Sequence, residues 1–211
     1  MILNNPSAKL TFVITAIAFL LMTVSCEKDP ETVTEIVYVD TCCVNNNDTV
    51  VSSNDFQIGD THEGGIIFYV DQTGDHGLVC SINNISNSVP WGCQGTSIDG
   101  ADGTILGSGN QNSIDINDGC STDQIIHAAF EALIYGSAGF SGWYLPSKDE
   151  LNEMYIHRFA IQESGDGFNG PFWSSSEVNA NTAWMINFGN SGAASAIDKS
   201  IGFSVRAVRA F

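Results

Sequence analysis

Gly139-Phe140-Ser141-Gly142-Trp143-Tyr144-Leu145-Pro146-Ser147-Lys148-Asp149-Glu150-Leu151 joins an aromatic, apolar run to a helix start. Ser147 after Pro146, with Glu150 three residues on, is a capping box in which serine and glutamate each satisfy a backbone amide of the first turn. Leu151 is placed for the accompanying hydrophobic staple. Leu151, Met154, Tyr155 and Arg158 then follow one helical face, the arginine through its aliphatic stem. Upstream, Ser121 to Tyr135 is expected as a further helix, because Ile126, Ala129, Phe130 and Leu133 recur at helical spacing and Gly136 provides the stop. Beyond Gly165, Phe172 to Ser176, Ala183 to Phe188 and Phe203 to Ala210 read as strands.

Further upstream, Gly64-Gly65-Ile66-Ile67-Phe68-Tyr69-Val70 is an apolar, β-branched strand. Turn residues Asp71 to Gly77 follow, and Leu78 to Ile82 returns, so a hairpin is expected. Trp91 stands beside Gly92-Cys93 at the mouth of a long Gly/Asp/Asn-rich stretch, expected as loop as far as Asp118. Cys93 and Cys120 flank that stretch and are the best intradomain disulfide pair. Cys80, inside an apolar run, is expected as a buried thiol. No Cys-x-x-Cys pair or histidine spacing supports a zinc site.

Three stretches together resemble one family: Gly139 to Leu151, Phe172-Trp173-Ser174-Ser175-Ser176-Glu177, and Val205-Arg206-Ala207-Val208-Arg209-Ala210-Phe211. They are similar to the Lcl C-terminal domain family, named for a bacterial collagen-like surface adhesin. The Gly64 to Val70 strand and the Asp75-His76-Gly77-Leu78-Val79 turn also fit. The resemblance implies an α+β fold of the C-type-lectin-like group, in the formylglycine-generating-enzyme branch. In that fold two helices pack on twisted antiparallel sheets, and an irregular ligand-facing surface lies near the C-terminal strands. The chain departs from the pattern in having no collagen-like Gly-x-y tract, no Glu-Pro-Asn or Gln-Pro-Asp triplet, and no cysteine after Cys120. Formylglycine-generating activity is therefore not expected.

The N-terminal third speaks to location. Lys9 precedes an apolar run from Leu10 to Val24, about fifteen residues, which suits a signal-peptide core better than a membrane span. Thr23-Val24-Ser25-Cys26 resembles a lipobox, which implies lipidation of Cys26 and removal of residues 1–25. Glu27-Lys28-Asp29-Pro30-Glu31 resembles the charged tag of Bacteroidota lipoproteins displayed on the outer face of the outer membrane. Residues 26–54 read as lipidated terminus and stalk, and residues 55–211 as the recognition domain. Val33 to Val39 alternates and is β-prone. Cys42-Cys43 offers an intermolecular disulfide, which makes a structural envelope assembly, a homo-oligomer, the alternative reading. A net charge of −17 over 211 residues argues against nucleic acid and against sulfated glycans, leaving a protein or a neutral glycan as ligand.

Candidate chemistry is sparse. Ser174-Ser175-Ser176-Glu177 lacks a nucleophile elbow, and no histidine follows His157. Lys148-Asp149-Glu150 sits in a first helical turn, where carboxylates favour the helix dipole. Asp99 to Gly103 and Asp115 to Asp118 carry the oxygen ligands calcium takes, but without EF-hand spacing, and turn chemistry accounts for them. No cofactor, metal or catalytic residue is therefore expected; a glycan-active enzyme is the weakest alternative. Trp91, Trp143, Trp173 and Trp184 each stand in apolar stretches and read as packing. The stretch from Val178 to Ser204 is rich in Asn, Ser, Ala and Gly around Trp184, Met185 and Phe188. It resembles the variable region that diversity-generating retroelements write by adenine-targeted mutagenesis of Asn codons. The ligand face is accordingly placed on Asn179, Asn181, Thr182, Met185, Asn187, Asn190, Ser191, Ser195, Asp198, Ser200 and Phe203, with Met185 and Phe203 as its apolar contacts.

Overall fold

The computed structural model describes residues 56–120, 126–162 and 168–211. The expected leader, Cys26 and the stalk with Cys42-Cys43 lie outside those residues. The opening hairpin is present: β2 (Gly65–Val70) pairs antiparallel with β3 (Gly77–Ser81), with a register irregularity between Ile67 and Tyr69. Asp71 sets the turn by accepting hydrogen bonds from the amides of Thr73 and Gly74, both at 3.0 Å. With β1 (Thr61–His62) and β9 (Val208–Ala210) the hairpin makes a four-stranded sheet in the order β1-β2-β3-β9. Its inner strands are buried on both faces. Ile66, Phe68, Leu78 and Cys80 point into one core cluster, and Ile67 and Val79 into another. That double burial is why β2 and β3 read as continuous apolar runs rather than alternating ones.

The remaining strands are β4 (Ser86–Pro90), β5 (Pro171–Asn179), β6 (Thr182–Asn187), β7 (Ala194–Asp198) and β8 (Gly202–Val205). They form a second sheet in the order β4-β8-β5-β6-β7. β5 meets β8 in parallel, at Phe172 and Ser204, so this sheet is mixed where an antiparallel one was expected. The expected single strand from Phe203 to Ala210 is two: Arg206 and Ala207 separate β8 in one sheet from β9 in the other. Buried Arg206 donates to the carbonyls of Ser81 and Ile82 at that crossing, with its guanidinium over the Phe168 ring. β7 is a strand the sequence did not predict; its Ala-Ser-Ala-Ile-Asp sequence carries little β signal.

Among the described residues four helices stand where two were expected. α3 (Lys148–Ile156) has the full capping box: Ser147 Oγ accepts from the Glu150 amide, and Glu150 accepts from the Ser147 amide at 2.7 Å. Leu151 and Met154 are buried, and Arg158, at the start of α4 (Arg158–Gln162), stacks on Tyr155. α1 (Gly109–Gly119) occupies the expected loop. Its inward face is Gly109, Asn112, Ser113 and Ile116, so hydrophobic periodicity could not reveal it. A side chain at Gly109 would sit 2.2 Å from Glu150 Oε2, so glycine is what lets α1 start against the cap of α3. α2 (Ala128–Ile134) buries Ala128, Ala129 and Ala132; of the expected face, Ala129 is buried and Leu133 half-buried, while Ile126 and Phe130 are exposed. α2 packs on α1, with Ala128, Ala129 and Ala132 in one core cluster and Leu133 against the other. Residues 121–125 of that expected helix lie outside the described residues. Among the described residues no helix is long and apolar enough to cross a membrane.

Candidate functional site

β5 is an unusual central strand, with six consecutive buried residues that include three serines and a glutamate. The serine hydroxyls splice it to the segments around it. Ser176 Oγ donates to the Gly103 carbonyl at 2.7 Å and accepts from the Lys148 amide at 2.9 Å. Ser175 Oγ accepts from Asn112, and Ser174 Oγ donates to the Trp184 carbonyl. The serines are thus fully buried joints of the scaffold. Glu150, also fully buried, is committed to the amides of Ser147 and Gly107 and to the Tyr144 hydroxyl; burial raises its pKa.

At the far end of β5 the chain builds a different assembly. Glu177 and Lys199 form an ion pair with both side chains buried. Glu177 also accepts from the Ile98 amide at 2.9 Å and from Ser97 Oγ at 3.0 Å. Lys199 Nζ donates to the Thr96 carbonyl at 2.9 Å and lies 4.4 Å from the centre of the Trp91 ring. Desolvation pulls the lysine below its usual pKa, while Glu177 opposes that shift. The pair ties three segments together: the end of β5, the β7–β8 turn, and the Trp91 to Ile98 loop. Cys93 and Cys120 are disulfide-bonded, with Cα atoms 5.4 Å apart, which fixes that loop to the C-terminal end of α1.

Above this frame stand polar tips. Asn179 caps the β5–β6 turn by accepting from the amides of Asn181 and Thr182 at 2.9 and 3.1 Å. Asp198 accepts from the amide and hydroxyl of Ser200 at 2.9 and 2.6 Å; the hydroxyl bond in particular keeps its carboxyl below the usual range. The Gly95 amide donates to the Ala180 carbonyl, and Gln94 donates to Asp198 at 3.2 Å, so the disulfide loop is stitched to both turns. Beside them opens a cleft of ≈ 340 Å³ lined by Gly92, Cys93, Gln94, His127, Lys199 and Ser200, among others.

The expected ligand face is therefore only partly assembled in one place. Asn179, Asn181, Thr182, Asp198 and Ser200 gather at this end of the second sheet. Asn187, Asn190 and Ser191 lie at the opposite end of the β6–β7 hairpin, where the Tyr155 hydroxyl donates to the Asn190 carbonyl at 3.4 Å. Ser195 and Met185 face each other midway along the hairpin. Met185 and Phe203 are half-buried against a core cluster, Phe203 with its ring centre 4.7 Å from that of Trp173. They hold the face up rather than project from it. Thr182 Oγ1 is likewise turned in, buried without a hydrogen-bond partner. Trp91, Trp143 and Trp173 are core, whereas Trp184 is half-buried beneath Lys148.

Sequence reasoning missed Gln94 and the coupling of Lys199 to Glu177. The only local signal was a lone cation, next to Asp198, in a stretch otherwise without charge. Among the described residues no cluster of three or more His, Cys, Asp or Glu could hold a metal ion. Every cation among the described residues is engaged: Lys148 with Asp149, Arg158 on Tyr155, Lys199 with Glu177, Arg206 with carbonyls, and Arg209 with Glu63.

Comparison with known proteins finds no matching family model and no matching curated protein. Among solved structures, the chain is similar to a fimbrial protein from Bacteroides ovatus ATCC 8483, at 18% identity with a TM-score of 0.42. The match covers 68% of this chain and 43% of that one, so the chain spans less than half of that protein's length.

Proposed function

We propose that the chain is a lipoprotein anchored through Cys26 and displayed on the outer membrane, whose 55–211 domain is a C-type-lectin-like recognition module. The observation that carries this reading is the end of the second sheet: exposed polar residues Asn179, Asn181, Asp198 and Ser200, mounted on a buried ion pair and a disulfide-tied loop. A rigid frame under solvent-facing tips lets side chains change with little cost to the fold. The lectin-like assignment draws further support from the last strand pairing with the opening hairpin and from the long inserted loop and helix held by Cys93–Cys120. The ligand is a protein or a neutral glycan. The acidity of the chain and its engaged cations disfavour sulfated glycans and nucleic acid. The module binds without turnover, since the buried serines and Glu150 are structural.

The test is binding of the detergent-solubilised full chain to a neutral-glycan array and to an array of cell-surface proteins. Retention of at least one ligand, weakened about tenfold by Asn181→Ala with Asp198→Ala, is expected. Turnover of a bound glycan, or no retention on either array, contradicts the reading. Metabolic labelling with a fatty acid checks the anchor: label on the wild type is expected to vanish in Cys26→Ala.

A further inference from the structure

Among the described residues β7 is the outer strand of the second sheet, paired on one side only, with β6. Its hydrogen-bonding parity follows from the register. The Lys199 amide donates to the Asn181 carbonyl, and Thr182 stands opposite Asp198. In an antiparallel ladder hydrogen-bonded and non-hydrogen-bonded pairs alternate. Ile197 and Ser195 therefore bond inward to β6, while Ala194, Ala196 and Asp198 turn their amides outward. Among the described residues, no backbone hydrogen bond beyond the strand pairing reaches the outward groups of Ala194 or Ala196. The Asp198 carbonyl alone is used, by Ile201.

Nothing on the strand protects this edge. Native edges are commonly blunted by proline, lysine, bulges or covering chain. β7 carries none of the first three, and its outward residues Ala194 and Ala196 are exposed and small. Both flanking turns belong to the expected ligand face: Asn190 and Ser191 at one end, Asp198 and Ser200 at the other. Resting on the recognition reading above, we infer that β7 is the docking edge of the module, and that its ligand is an extended segment of another protein that adds a strand beside Ala194 to Asp198. Main-chain bonds would supply affinity independent of sequence, and the flanking side chains would supply selectivity.

Charge selects the occupant. Asp198 is the strand's one charge, and the cations of the described residues are engaged elsewhere, so a neutral or basic segment fits. A second copy would bring together two chains of net charge −17, and the β-prone stretch Val33 to Val39 contains Glu35 and lies between Glu31 and Asp40, without a cation.

The experiment pans a random linear peptide library on the detergent-solubilised full chain and titrates the selected peptides. Ala196→Pro removes an outward amide without breaking a β6 bond, and is expected to weaken binding about tenfold or more, while Ala196→Ser leaves it nearly unchanged. N-methylation of alternate peptide amides is expected to abolish binding in one phase and spare it in the other, a readout that stands even if the proline variant fails to fold. Peptides insensitive to both changes overturn the inference, as does self-association of the full chain that Ala196→Pro removes. Binding to a neutral glycan but to no peptide overturns the inference and leaves the recognition reading intact. Absence of any ligand overturns both.

Discussion

Lys199 is the residue on which the candidate site rests. A buried ammonium is stable only where its charge is answered, and here Glu177, the Thr96 carbonyl and the Trp91 ring surround it. Lys199→Met strands the Glu177 carboxylate without its cation, and we expect a loss of about 3–5 kcal/mol in urea unfolding. Glu177→Gln added to it removes the orphaned charge and should recover part of that loss. A double variant that loses the sum of both singles would show that the residues are not coupled. Cys80 is a second residue with a measurable signature. Burial pushes its thiol from 9.0 up to about 12. Below the ordinary value both folded and unfolded thiols are protonated, so nothing is lost. As pH rises towards about 12 the unfolded chain sheds its proton and the folded chain resists, so stability falls. The fall from this group should disappear in Cys80→Ala, measured as the difference between the two pH–stability curves. Native protein should also resist iodoacetamide at Cys80 until it unfolds.

At the scale of elements, α3 was legible because its signal is local. Ser147 and Glu150 lie within one turn of each other, and Leu151 and Met154 repeat on the buried face. Ser147→Ala removes the acceptor for the Glu150 amide and the donor to the Ile105 carbonyl, so we expect a loss of about 1–2 kcal/mol in urea unfolding. The opening hairpin was legible for the same reason, with turn residues between two apolar runs. α1 and β7 were not. The inward face of α1 is mostly glycine, asparagine and serine, which bind through hydrogen bonds to Gly103, Ser175 and Leu145 rather than through apolar area. β7 is held by its backbone ladder to β6, which small side chains do not advertise. The candidate site divides in the same way. Asn179, Asn181, Asp198 and Ser200 announce themselves as polar turn residues. The frame beneath them depends on Glu177 and Lys199, 22 residues apart, and on Gln94, which no local spacing connects.

Across the whole molecule, two core clusters carry the fold and the polar turns ride on its edge. That separation sets where change is tolerable. If residues 178–204 are diversified, sequencing the 3′ end of the gene across a population should find substitutions at Asn179, Asn181, Asn190, Ser191, Asp198 and Ser200. It should spare buried Ala183, Ile186, Phe188 and Lys199. A uniform segment, or changes spread equally over buried positions, would contradict diversification and leave a fixed-ligand adhesin. The central claim, a recognition face at the Asn181–Asp198 end of the second sheet, is tested most directly by one titration. A ligand retained on the arrays is titrated against the full chain, against Asn181→Ala with Asp198→Ala, and against Lys148→Ala with Asp149→Ala in the first turn of α3. The account predicts that the first pair weakens binding about tenfold and that the second leaves it nearly unchanged. Equal affinity for all three proteins would contradict it.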